Sequence, residues 1–126
     1  MKYAFTHANL TVTDLNKSLK FYEEALNLKE VSRREFDDCF MIYLRGEDVN
    51  FELELRINKN PVKKINLGDN PTHLAFVAED FSLSLARHRA MNCVVFAKEE
   101  LGIYFITDPD GYKLEIVSKK FLDKVD

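Results

Sequence analysis

Apolar and polar residues recur with two different periods along this chain, and the changes of period mark out its elements. Residues 3–12 read as a strand, and residues 14–26 then carry Leu15, Leu19, Tyr22 and Leu26 at helical spacing, with Asp14 placed to cap the helix N-terminus. Three β-rich segments follow at 30–36, 39–44 and 50–57, with the polar run Arg45-Gly46-Glu47-Asp48 as a turn between the last two. This half therefore reads βαβββ. After a connection at 59–71 rich in Asn, Lys and Pro, the order starts again with a strand at 72–78, a helix at 81–91 and strands at 93–97, 104–107 and 112–118.

The two halves, 1–58 and 72–118, share more than layout. Thr6-His7 reappears as Thr72-His73, Asp14 as Asp80, and Ser18-Leu19 as Ser84-Leu85, all at an offset of 66. Matches in one register with one element order argue for an internal repeat. The second half also carries Asp108-Pro109-Asp110-Gly111, a hairpin signal in which proline presets φ and glycine takes the left-handed position. The expected class is α+β, with two βαβββ repeats making a curved mixed sheet within a single domain.

Composition narrows the functional classes. At 126 residues with 46% apolar content, the chain suits one ordinary globular domain. A net charge of -3, with basic and acidic residues interspersed, argues against a nucleic-acid partner and favours a small molecule. No window reaches the roughly 20 apolar residues of a spanning helix, and the first residues do not read as a signal peptide, so a cytoplasmic protein without a membrane partner is expected. Cys39 and Cys93 lie in apolar stretches without C-x-x-C spacing and read as reduced core residues.

The repeat puts His7 and His73 at equivalent points of the first strand of each half, and Glu54 and Glu115 on the last strand of each. A pseudo-twofold relation would bring two imidazoles and two carboxylates to one point. That donor set, with open positions and no paired thiolates, suits one six-coordinate divalent ion such as Ni²⁺, Zn²⁺, Fe²⁺ or Mn²⁺. The bland reading is that each is an outward polar residue on an alternating strand. In the strand 51–58, Phe51, Leu53, Leu55 and Ile57 alternate with Glu52, Glu54, Arg56 and Asn58, so Glu52 and Glu54 share a face and alternation does not choose between them. His88, among arginines on the second helix and without an evident repeat partner, reads as a surface residue.

At these residues the chain resembles glyoxalase I (lactoylglutathione lyase) of the vicinal oxygen chelate superfamily. The resemblance runs through THANLTVTDLNKSLKFYEEALNLK, FELELRIN, THLAFV and DPDGYKLEIV, essentially the whole chain. It implies that Glu54 rather than Glu52 is the ligand, and that Asn58 lies where family members contact glutathione. The implied reaction converts a hemithioacetal of methylglyoxal and a thiol into a 2-hydroxyacyl thioester through a metal-stabilised enediolate. Glu115 is the first candidate for the base and Glu54 its symmetric counterpart.

Two departures from the family bear on the thiol. Thr11 stands four residues after the first histidine, where many members carry an arginine that holds a glutathione carboxylate, and a loop before the penultimate strand is shortened to AKEELGIY. Lys98 and Arg56 are candidates to compensate. Other readings within the superfamily are a methylmalonyl-CoA epimerase-like enzyme or a metal-free module of the bleomycin-sequestering kind. Extradiol dioxygenases and fosfomycin-modifying enzymes typically use two histidines and one glutamate, against which Glu54 counts. Edge strands left by each half would be covered in a homodimer.

Overall fold

A computed structural model describes residues 1–47 and 50–123. Two compact units divide between Asn66 and Leu67, inside the connection expected from the sequence. The first unit runs β1 (His7–Thr11), α1 (Leu15–Leu26), β2 (Lys29–Glu35), β3 (Cys39–Arg45) and β4 (Glu52–Asn58). The second runs β5 (Leu74–Ala78), α2 (Phe81–Ala90), β6 (Val94–Lys98), a 3-10 turn at Glu99–Leu101, β7 (Ile103–Thr107), β8 (Lys113–Ser118) and α3 (Lys119–Asp123). Both units are βαβββ, as the repeat predicts, and the closing helix α3 carried no sequence signal.

Each unit forms its own four-stranded mixed sheet, ordered β1-β4-β3-β2 in the first and β5-β8-β7-β6 in the second. The first strand pairs parallel with the last, and the remaining pairs are antiparallel. Even the irregularities repeat, since each outer strand slips register at one point, between Glu30 and Ser32 and between Val94 and Phe96. Both helices start as expected. Asp14 Oδ1 accepts from the Lys17 amide and Asp80 Oδ1 from the Leu83 amide, each at 3.1 Å, filling one of the donors that a helix N-terminus leaves open.

The first strand is shorter than expected. Residues 1–6 are outside it, with Tyr3 and Phe5 exposed, because the ladder with β4 begins at His7 opposite Glu52. The expected turn at 45–48 is described only through Glu47, and Asp48 lies outside the described residues.

Alternation sends one face of each sheet to the core. In the first unit Ile42, Leu44, Leu53 and Leu55 are buried with Ser18, Tyr22 and Ala25 of α1. In the second, Tyr104, Ile106, Leu114 and Ile116 are buried with Leu85 and His88 of α2. His88 is thus a correction to the surface reading. The residue is 1% exposed, and its Nδ1 lies 2.6 Å from the Tyr104 hydroxyl, which also meets Ser84 Oγ at 2.5 Å. These partners make burial of the imidazole tolerable. A signal was present in the repeat, because the residue 66 positions earlier is Tyr22, fully buried on α1.

Asp108 shapes the β7–β8 hairpin. Its Oδ1 accepts from the amides of Asp110 and Tyr112, both at 2.9 Å, while Gly111 takes φ of 90°. The shortened loop before β7 is closed by Gly102 at φ 76°, where an added Cβ would collide with Ser118 Oγ. Cys39 and Cys93 are both free thiols, Cys39 buried and Cys93 half-buried.

Candidate functional site

Opposite the core, the outward face of each sheet carries the predicted donors. In the first unit, β1 lays His7, Asn9 and Thr11 alongside Glu52, Glu54 and Arg56 of β4 in register, and Tyr43 of β3 stands opposite Glu54. In the second unit, Ala75 of β5 and Phe105 of β7 flank Glu115 of β8. Asn9 and Ala75 are 66 residues apart, so the two glutamates occupy equivalent points of the two sheets.

Each histidine leans toward the glutamate of its own unit. His7 Nε2 lies 3.5 Å from Glu54 Oε1, and His73 Nε2 lies 3.3 Å from Glu115 Oε1. Both rings stand edge-on to an aromatic residue on the far side of the glutamate strand, Tyr43 at 6.1 Å and Phe105 at 5.0 Å between centroids. These spacings are long for a hydrogen bond. They fit two adjacent ligands of one ion, because metal bonds of about 2.1 Å at 90° to 110° put neighbouring donor atoms roughly 3.0 to 3.4 Å apart. Among the described residues no group of three or more His, Cys, Asp or Glu side chains gathers as a metal cage, so each unit offers a two-donor pair.

The surroundings separate Glu54 from Glu52. Glu54 is buried, accepts from Asn9 Nδ2 at 2.7 Å, and is hydrogen-bonded by the Tyr43 hydroxyl. Burial pushes its carboxyl pKa up, but the Tyr43 and Asn9 hydrogen bonds, with His7 and Arg34 nearby, more than offset that and hold it below the usual value. The same contact pushes the Tyr43 phenol up, chiefly through its hydrogen bond to Glu54, with burial adding to it. Glu52 is instead half-buried, and its ion pair with exposed Arg45 is loose at 3.9 Å.

Thr11, Arg56 and Asn58, expected from the sequence as candidate ligand contacts, lie further along β1 and β4. Thr11 is the register partner of Arg56, so the two residues lie side by side on β1 and β4. Arg56 Nε donates to Asn58 Oδ1 at 2.8 Å, and its terminal nitrogen reaches Asp38 at 3.3 Å. Lys98 ends β6 in the other unit and is exposed. Sequence reasoning missed Asn9 and Tyr43. The alternation of HANLT already placed Asn9 on the His7 face, whereas the partnership with Tyr43 depends on strand order.

The family model described as the Glyoxalase/Bleomycin resistance protein/Dioxygenase superfamily matches residues 4–116. This chain belongs to that superfamily. Among its superfamily relatives, lactoylglutathione lyase of Haemophilus influenzae is 32% identical over 90% of this chain and 91% of its own length. Lactoylglutathione lyase of rice is 30% identical over 94% of this chain, which spans only 44% of that longer protein; for a probable chloroplastic lactoylglutathione lyase of Arabidopsis thaliana the share is 36%. The glyoxalase I of Leishmania major, described as trypanothione-dependent, superposes with a TM-score of 0.87 at 26% identity, covering 98% of this chain and 91% of that one. No helix among the described residues of this superfamily member is long and apolar enough to cross a membrane.

Proposed function

We propose that this chain is a glyoxalase I-like lyase that isomerises the hemithioacetal of a 2-oxoaldehyde and a thiol to a 2-hydroxyacyl thioester. The observation that carries the reading is the equivalent His–Glu pair on each sheet, at 3.5 Å and 3.3 Å, in a chain 32% identical to a lactoylglutathione lyase. His7, Glu54, His73 and Glu115 would together hold one divalent ion, Ni²⁺ or Zn²⁺ before Fe²⁺ or Mn²⁺. The bound ion supplies Lewis-acid stabilisation of the negative charge that develops on the substrate oxygens.

The protein's own groups do the rest. Glu115 takes the C1 proton of the hemithioacetal and returns it to C2 while the C1 hydroxyl proton passes to the C2 oxygen, so no atom is gained or lost and the carbon–sulfur bond stays intact. Glu54, its symmetric counterpart, stays ionised, held so by the Tyr43 and Asn9 hydrogen bonds. Arg56 and Asn58 would orient a carboxylate of the thiol, with Thr11 leaving space next to the guanidinium. A cytoplasmic homodimer completes the proposal: both cysteines are free thiols, and among the described residues the outer strands β2 and β6 pair on one side only, leaving edges that a second copy would cover.

Metal analysis of the purified protein, followed by thioester formation from methylglyoxal with glutathione and with other thiols, tests this directly. One ion per chain and turnover with at least one thiol are expected, and His73→Ala should lose most of the metal. Equal metal content in His73→Ala and the parent would overturn the site. A metal-loaded parent inactive with every thiol would overturn the activity in favour of another enolising substrate.

A further inference from the structure

The two carboxylates occupy equivalent points of the two sheets, but the residues holding them differ. Glu54 is gripped from both sides, by Asn9 on β1 and Tyr43 on β3, and its side chain is 9% exposed. At the corresponding points beside Glu115 stand Ala75 and Phe105, whose side chains offer no hydrogen-bond donor, and the Glu115 side chain is 16% exposed. Among the described residues, His73 is the one side chain that meets the Glu115 carboxylate. The repeat therefore keeps the donor and changes its support.

We propose that Asn9 and Tyr43 are positioning residues that lock Glu54 as a fixed ligand, and that the absence of their counterparts beside Glu115 leaves that carboxylate free to loosen and move a proton. The inference rests on the metal-dependent reading above and concerns how the four ligands divide their work. A carboxylate with one oxygen on an ion keeps its remaining lone pairs for other donors. Two donors on strands either side of Glu54 fix its rotamer before any ion arrives, so less freedom is lost on binding. Glu115 has no such restraint, and a group that must release an ion to accept a proton benefits from having none.

Reciprocal variants test the division. Asn9→Ala/Tyr43→Phe should weaken Co²⁺ and Zn²⁺ binding by about 10- to 100-fold in competition with a chromophoric chelator. It should also alter the visible absorption of the Co²⁺ form, a readout that a merely structural role would leave alone. Asn9 is exposed, so Asn9→Ala alone keeps the test open should the double variant fold poorly, with a several-fold loss expected. Grafting the clamp onto the other sheet with Ala75→Asn/Phe105→Tyr should preserve or tighten ion binding while lowering kcat at unchanged KM. An Asn9→Ala protein with the parent's metal affinity and Co²⁺ spectrum would overturn the proposal, as would a graft that leaves kcat intact. A parent that binds neither ion would instead overturn the metal-dependent reading itself, before any variant is compared.

Discussion

Tyr104→Phe isolates the buried cluster under the second sheet. The substitution keeps the ring, and with it the packing against Phe81 at 5.3 Å, while removing the hydroxyl that lies 2.6 Å from His88 Nδ1 and 2.5 Å from Ser84 Oγ. His88 is 1% exposed, so its Nδ1 would lose a partner where water has little access, at about 1 to 3 kcal/mol. Ser84 is half-buried and can turn to solvent, so its lost bond adds roughly 0.5 to 1 kcal/mol. Urea denaturation at neutral pH should therefore show a loss of about 2 to 4 kcal/mol.

If desolvated polar atoms are the cause, removing both sides should cost less than the two singles combined. His88→Leu/Tyr104→Phe should recover about 1 to 2 kcal/mol relative to the sum. The pH dependence provides a second handle. Burial raises the Tyr104 phenol to about 12 from its ordinary 10, so the unfolded chain releases this proton before the folded one does. Its contribution is complete below pH 10 and is lost as pH rises from 10 to 12. Two pH units correspond to roughly 2 to 3 kcal/mol, and Tyr104→Phe should flatten the alkaline limb by that amount. Strictly additive singles, or an unchanged alkaline limb, would refute the reasoning.

Two further outcomes concern the candidate site. Glu54→Gln should weaken metal binding at least tenfold, whereas Glu52→Gln, which breaks only a loose pair with exposed Arg45, should stay within about twofold; a chelator titration showing the reverse would mean that the wrong glutamate had been assigned. Arg56→Ala should raise KM for the glutathione hemithioacetal by about 10- to 100-fold with little change in kcat, as expected for loss of a charge-assisted contact of about 1.5 to 3 kcal/mol, and a fall in kcat at constant KM would count against a clamp.

Much of this protein was legible in one dimension. The switch between periods of two and about 3.6 located every strand and both long helices, because a half-buried strand or helix must show its buried face in its sequence. The offset of 66 revealed the repeat because equivalent positions keep equivalent jobs: Asp14 and Asp80 both cap helices, and His7 and His73 each face the glutamate of their own unit. The same offset pairs His88 with Tyr22, a clue that the charged neighbours of His88 obscured.

Other features depended on which strands are neighbours. Alternation put Glu52 and Glu54 on one face and stopped there. Only the order β1-β4-β3 placed Asn9 and Tyr43 on either side of Glu54, and only the parallel register set Arg56 beside Thr11. The start of β1 was likewise decided in three dimensions, since residues 3–6 have strand-like character but lie ahead of the β4 ladder. Periodicity records which way a side chain points relative to its own backbone. What it meets there is set by strand pairing and register, which join residues from about 10 to 45 positions apart, and that is why the support around each carboxylate emerged only from the fold.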